Sequence, residues 1–173
     1  MFKKKSFCFF KILKNRNGFT LAEVVVTLSI LGVMTAISIP SYISWIPRHR
    51  LQTSVRQIYD DMQLAKIRAV KDNVNSRITF DIVNNNYTVF LDPNGNGIPD
   101  DGAANIIRNN ATLENGVDIT AANTCGFNNR GISTTGTPQI RLTNPTNIIM
   151  RIDVTTAGSI SILTSKDNGV TWI

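Results

Sequence analysis

The chain of 173 residues has little of what most catalysts need. It holds one histidine, His49, so no cluster of imidazoles can ligate a metal. It holds two cysteines, Cys8 and Cys125, and only 17% of its residues are charged. No Gly-x-Ser-x-Gly, P-loop or Cys/His pairing occurs, which removes the usual signatures of acyl and phosphoryl transfer. Asp60 and Asp61 are adjacent, and neighbours on a helix point to different sides, so they form no catalytic dyad. The expectation is a protein that is not an enzyme.

Acid is also missing from the first 17 residues, which carry Lys3, Lys4, Lys5, Lys11, Lys14 and Arg16. The formal charge of +6 belongs to this segment, because beyond it 12 basic residues face 12 acids. The high pI therefore carries no message about nucleic acid. A basic leader before an apolar run should stay cytoplasmic under the positive-inside rule. With Cys8 in that leader, Cys125 has no disulfide partner. It reads as a small buried apolar residue, the alternative being a reactive thiol. His49 stands among Pro47, Arg48 and Arg50 and reads as a headgroup neighbour rather than a base.

What is present is one long hydrophobic run. Residues 19–39 are apolar or small at nearly every position, and Glu23 is their one charge. About 20 residues at roughly 1.5 Å rise span a ~30 Å hydrocarbon core. Length decides for a helix where alternation is absent. Pro40, near its end, favours a kink. An acid inside a membrane segment costs about 2.5–3.5 kcal/mol and marks function, unless it reaches interfacial water. Gly18 is the small residue placed for processing, and it precedes the apolar run. A cut there would leave the helix on the mature chain, unlike an ordinary secretory signal.

Gly18-Phe19-Thr20-Leu21-Ala22-Glu23 resembles the type III signal of type IV prepilins and type II secretion pseudopilins, Gly-Phe-Thr-Leu-x-Glu. The resemblance implies cleavage between Gly18 and Phe19 by prepilin peptidase and N-methylation of Phe19. It also gives Glu23 an assembly role, pairing with the Phe19 amine of a neighbouring pilin or pseudopilin in a helical filament. A Pro at the place of Pro40 lets pilin helices bend or melt locally.

Leu51, Val55, Ile58, Met62, Ala65 and Ala69 recur at spacings of four and three, an amphipathic stripe. Arg56, Asp60, Lys66 and Lys71 fall off it and should face water. The helix should end near Asp72 or Asn73. Strand patterns follow at 77–82 and 87–91 around an Asn84-Asn85-Asn86 turn, then at 105–108, 140–142, 148–154 and 159–163. The expected fold is α+β, a long N-terminal helix packed on an antiparallel sheet. Its parts are a leader (1–18), a transmembrane or filament-core helix (19–46), an amphipathic continuation (47–75) and a β-rich domain (76–173).

The helix end Ala65-x-x-x-Ala69-x-x-x-Asn73 leading into a strand resembles the GspH/FimT subgroup of minor pilins and pseudopilins. So does the Asp/Asn-rich loop after Phe90-Leu91. That subgroup often places an acid after the loop's last glycine, where this chain has Ala103. The resemblance covers residues 18–108. Asp92, Asn94, Asn96 and Asp100 have the spacing of calcium ligands, with Gly97 for the turn. Ala103 stands where an EF-hand has its glutamate, and the same residues suit a plain tight turn. Calcium and the plain turn both stay open.

Residues 165–172 resemble the Asp-box hairpin of sialidase propellers, which implies a structural turn with Trp172 packed inward rather than a glycan site. Arg130, Arg141 and Arg151 are scattered in sequence, and the Gly-Arg-x-Arg-like C-terminal element of DNA-binding members is missing. Nucleic acid is thus not the favoured partner. The function expected is a minor pseudopilin of a type II secretion system, single-pass in the bacterial inner membrane with a periplasmic domain. The alternative is a minor type IV pilin for pilus assembly or DNA uptake. A membrane-tethered ligand-binding or lytic module is the third class, and no site for it appears.

Overall fold

In the computed structural model, residues 18–99, 105–165 and 169–173 are described. Residues 1–17 of the leader, residues 100–104 of the loop (Asp100 and Ala103 among them) and residues 166–168 lie outside these. The chain divides into two compact units, Met1–Pro40 and Ser41–Ile173. In the first, the described residues contribute three residues of non-helical chain and then helix. The helix assignment α1, Leu21–Asp72, runs through both Pro40 and Pro47. Each proline lacks an N–H, so one turn earlier a carbonyl is without its usual partner.

Among the described residues the second unit carries eight strands: β1 (Asn75–Asp81), β2 (Asn86–Asp92), β3 (Ile106–Thr112), β4 (Asp118–Ala122), β5 (Cys125–Phe127), β6 (Gln139–Thr143), β7 (Ile149–Val154) and β8 (Ile160–Ser165). They form two antiparallel sheets, not one, in the orders β3-β2-β1-β5 and β4-β6-β7-β8. After β3 the chain enters the second sheet with β4, returns to the first with β5, and leaves it for good. Both β4 and β5 are short, and their alternation is too brief to stand out in sequence.

The stripe of α1 is buried as its spacing predicts, with Leu51, Val55, Ile58, Met62, Ala65 and Ala69 all inaccessible. It shares one core with Ile78, Tyr87, Val89, Cys125 and Phe127 of the first sheet and Ile140, Leu142, Met150, Ile152 and Val154 of the second. At roughly 1.5–3 kcal/mol per fully buried large side chain, this packing far outweighs helix propensity in holding the stripe. Arg56, Asp60 and Lys71 are exposed, but Lys66 is not free in water. Its ammonium donates to the Gly158 carbonyl at 2.8 Å, its stem lying along the domain in the manner of a snorkelling lysine.

Local endings follow the turn residues. Asn73 takes φ +56°, and the Val74 N–H donates to the Ala69 carbonyl at 3.1 Å, a Schellman ending that stops α1. Asn85, also at φ +56°, closes the β1–β2 turn. Its side chain then clamps the other sheet, donating to the Val117 carbonyl and accepting from the Ile119 N–H at 2.8 Å. The loop between β3 and β4 is pinned to α1: Ser54 accepts from the Glu114 N–H at 3.2 Å, and Arg50 donates to the Asn115 carbonyl at 3.1 Å.

Candidate functional site

Gly18, Phe19 and Thr20 precede the helix in exposed chain, with Phe19 87% accessible. A Cβ added at Gly18 would meet no atom within 4 Å, and its φ is not in the left-handed region. Nothing among the described residues therefore demands glycine there.

Glu23 does something the motif alone did not suggest. Its Oε2 accepts from the Thr20 N–H at 2.9 Å and from the Thr20 hydroxyl at 2.9 Å, while Thr20 Oγ1 accepts from the Glu23 N–H at 3.2 Å. This is a capping box, two orphan donors at the helix start satisfied reciprocally. The signal was available in sequence as Thr-x-x-Glu ahead of an apolar run.

The segment that follows is built for an apolar medium. Val24, Val25, Val26, Leu28, Ile30 and Leu31 are all solvent-exposed in the single chain. By length and composition the helix is long and apolar enough to cross a membrane. Its hydroxyls are satisfied internally: Thr27 donates to Val24 O, Ser29 to Val25 O, Thr35 to Leu31 O and Ser38 to Met34 O, at 2.7–2.9 Å. Such back-bonding lets Ser and Thr enter lipid without an unpaired donor.

Three of the calcium candidates, Asp92, Asn94 and Asn96, make local contacts, while Asp92 Oδ1 is buried without a hydrogen-bond partner among the described residues. Asp92 is buried, its Oδ2 3.2 Å from Arg77 Nε and accepting from the Gly97 N–H at 3.0 Å. Asn94 Oδ1 accepts from the Asn96 N–H, and Asn96 Oδ1 from the Ile98 N–H, at 3.1 and 2.8 Å. These are Asx turns, and Arg77 already supplies the positive charge that a cation would bring. The fourth candidate, Asp100, lies outside the described residues.

Asp60 and Asp61 part company as adjacency requires, Asp60 exposed and Asp61 buried. Asp61 Oδ2 accepts from the Tyr87 hydroxyl at 2.6 Å and lies 2.7 Å from Arg108 Nε, and Gln57 donates to the same hydroxyl at 3.1 Å. Burial, then the bond to Asp61, raises the Tyr87 phenol above its ordinary range, so it remains a donor. This network ties α1 to β2 and β3. Cys125 is wholly buried, and burial pushes its thiol up to about 12, which suits a packing residue and not a nucleophile.

Two arginines that are distant in sequence meet in space. Arg141 and Arg151 are direct cross-strand partners on β6 and β7, and Arg151 pairs with Asp153 at 2.7 Å. Trp172 does not pack inward. Its ring lies 4.1 Å from the Arg151 guanidinium carbon and 5.8 Å from that of Arg141, half-buried on the face opposite the core. Cation–π stacking and a screened like-charge pair explain the placement. The hairpin itself is present: Thr164 and Ile173 exchange backbone bonds at 2.9 and 3.1 Å, and Ser165 Oγ accepts from the Gly169 N–H.

A long N-terminal helix followed by antiparallel β sheets defines a pilin-like fold. The family model for type II transport protein GspH matches residues 54–158, and that for the prokaryotic N-terminal methylation motif matches 13–39. The chain belongs to the GspH family. Its fold is similar to the type IV minor pilin FimU of Pseudomonas aeruginosa (TM-score 0.53, 14% identity, 70% of this chain and 96% of that one). It is equally similar to the minor pseudopilin EpsH of the type 2 secretion system of Vibrio cholerae (TM-score 0.52, 14% identity, 68% and 99%). No curated protein matches the sequence.

Proposed function

We infer that this chain is a minor pseudopilin, a structural subunit of a type II secretion pseudopilus rather than an enzyme. The observation that carries the reading is the GspH match over 54–158 joined to an exposed Gly18-Phe19 bond ahead of a lipid-compatible helix. Prepilin peptidase would cut that bond and methylate Phe19. The helix would hold the chain in the inner membrane, with the β unit on the periplasmic side, until Glu23 meets the Phe19 amine of a neighbour. In a low-dielectric bundle such pairing offsets the desolvation of both charges.

The FimU likeness favours a second reading, a minor type IV pilin. Deleting the gene should abolish release of secreted exoproteins and spare surface pili. Intact secretion with lost pili would decide for the second reading. The segment after Asp92 is proposed to be a plain turn, since Arg77 holds the carboxylate. Millimolar calcium should leave the melting temperature unchanged. A rise of several degrees would establish binding to the native state.

A further inference from the structure

Residues 24–59 contain no acid, yet Arg48, His49, Arg50 and Arg56 cluster at the end of that stretch. Immediately before them, Tyr42, Trp45 and His49 follow at spacings of three and four and so share one face of α1. Tyr42 and Trp45 stack at 6.3 Å between ring centroids, and Trp45 and His49 lie nearly parallel at 4.5 Å and 13°. Tyr42 is 63% and Trp45 53% exposed, although they belong to the same compact unit as the sheets. Neither the Tyr42 hydroxyl nor the Trp45 indole N–H has a hydrogen-bond partner among the described residues. Rings with an apolar body and an unpaired polar tip suit a bilayer interface better than either water or a core.

We propose that residues 42–50 form a basic aromatic collar that binds the phosphates of anionic phospholipid at the bilayer surface. The inference rests on the membrane-anchored reading, not on the secretion assignment. Tyr42 and Trp45 follow the apolar run by only a few residues, so the collar falls where the chain leaves the hydrocarbon. Arg50 is steadied by Asn115 through one guanidinium nitrogen and keeps further N–H donors for a phosphate. Arg48 borders a slot of about 150 Å³ walled by Leu51, Ile148 and Met150, apolar enough for the upper part of an acyl chain. On the other side, Tyr42, Trp45, His49 and Arg50 line a groove in which Glu114 is the one facing acid. The balance is positive, which suits an anionic leaflet.

The test uses the processed full-length chain in phosphatidylcholine vesicles containing phosphatidylglycerol. The substitution Trp172→Phe leaves Trp45 as the sole indole, since the chain has two tryptophans. Trp172→Tyr replaces it if the phenyl ring fails to hold Arg151. Trp45 emission should be quenched at least about twofold more by brominated phosphatidylglycerol than by brominated phosphatidylcholine, since one basic residue at the surface favours anionic lipid about fivefold. Arg48→Gln with Arg50→Gln should abolish the preference, and Arg48→Lys with Arg50→Lys should keep it. Equal quenching by both lipids, or a preference that survives the Gln pair, would overturn the collar. An indole that bilayer bromine does not reach would overturn it too, and would assign the face to a neighbouring protein. None of these failures would touch cleavage at Gly18 or the role of Glu23.

Discussion

Glu23→Ala is expected to reach the membrane at normal levels yet lose at least about tenfold in co-purification with partner pseudopilins. Removing a charge from a lipid-embedded helix favours insertion, so the loss would lie in assembly. Tenfold requires only about 1.4 kcal/mol, well below the ~3–5 kcal/mol of leaving a buried charge unpaired, here the Phe19 amine of the neighbour. The capping box supplies a rival explanation, because alanine also removes the bond to the Thr20 N–H. A cap is worth about 0.5–2 kcal/mol, enough to matter for one terminal turn. Glu23→Gln separates the two, since an amide oxygen can accept the same bond without carrying charge. Glutamine should fail in assembly as alanine does. Recovery of normal partner yield with glutamine would mean that Glu23 acts through its own helix start.

Gly158→Ala should cost on the order of 3–5 kcal/mol, combining left-handed strain with a steric clash. Gly158 has φ +78°, and a Cβ there would run into the Gly131 carbonyl oxygen, a backbone atom that cannot step aside. The carbonyl of Gly158 itself receives the Lys66 ammonium, so the change would loosen the link between α1 and the β7–β8 turn. For a unit of this size the melting temperature should fall by roughly 10 °C or more. Gly136 is the control. Its φ of +79° is nearly identical, but a Cβ would meet nothing within 4 Å. Gly136→Ala should therefore cost only the conformational strain, about 1 kcal/mol. Equal losses at the two glycines would show that the close approach at Gly131 contributes nothing.

The features legible in sequence are those with a long or chemically sharp signal. The α1 stripe from Leu51 to Ala69 repeats over five turns, and every member is buried. Asn73 and Asn85 were read as a stop and a turn, and both take positive φ. The strands that escaped notice, β4 and β5, are five and three residues long, too short for periodicity to register. Their division between two sheets is a matter of long-range pairing, which no local pattern reports. The placement of Trp172 is illegible in sequence for a related reason. Its neighbours are Arg141 and Arg151, brought together only by the β6–β7 register. Lys66 looked solvated because its partner, the Gly158 carbonyl, lies 92 residues away. At the N-terminal site, Thr20 and Glu23 belong both to the Gly-Phe-Thr-Leu-x-Glu pattern and to a Thr-x-x-Glu capping box, so one short stretch carries two overlapping signals.

Gly18-Phe19 is proposed as a processing junction, with the hydrophobic helix staying on the mature chain. Intact-mass measurement on protein extracted from membranes of a host with prepilin peptidase tests it most directly. The mature species should begin at Phe19, lack residues 1–18, and carry one additional methyl group on its N-terminal nitrogen. Replacing Gly18 with a bulky residue should leave the unprocessed precursor in the membrane with its fold intact, since a Cβ there meets no atom of the described residues within 4 Å. A mature chain that keeps Lys3, Lys4 and Lys5, or one cut after Pro40 so that the apolar helix is lost, would contradict the account.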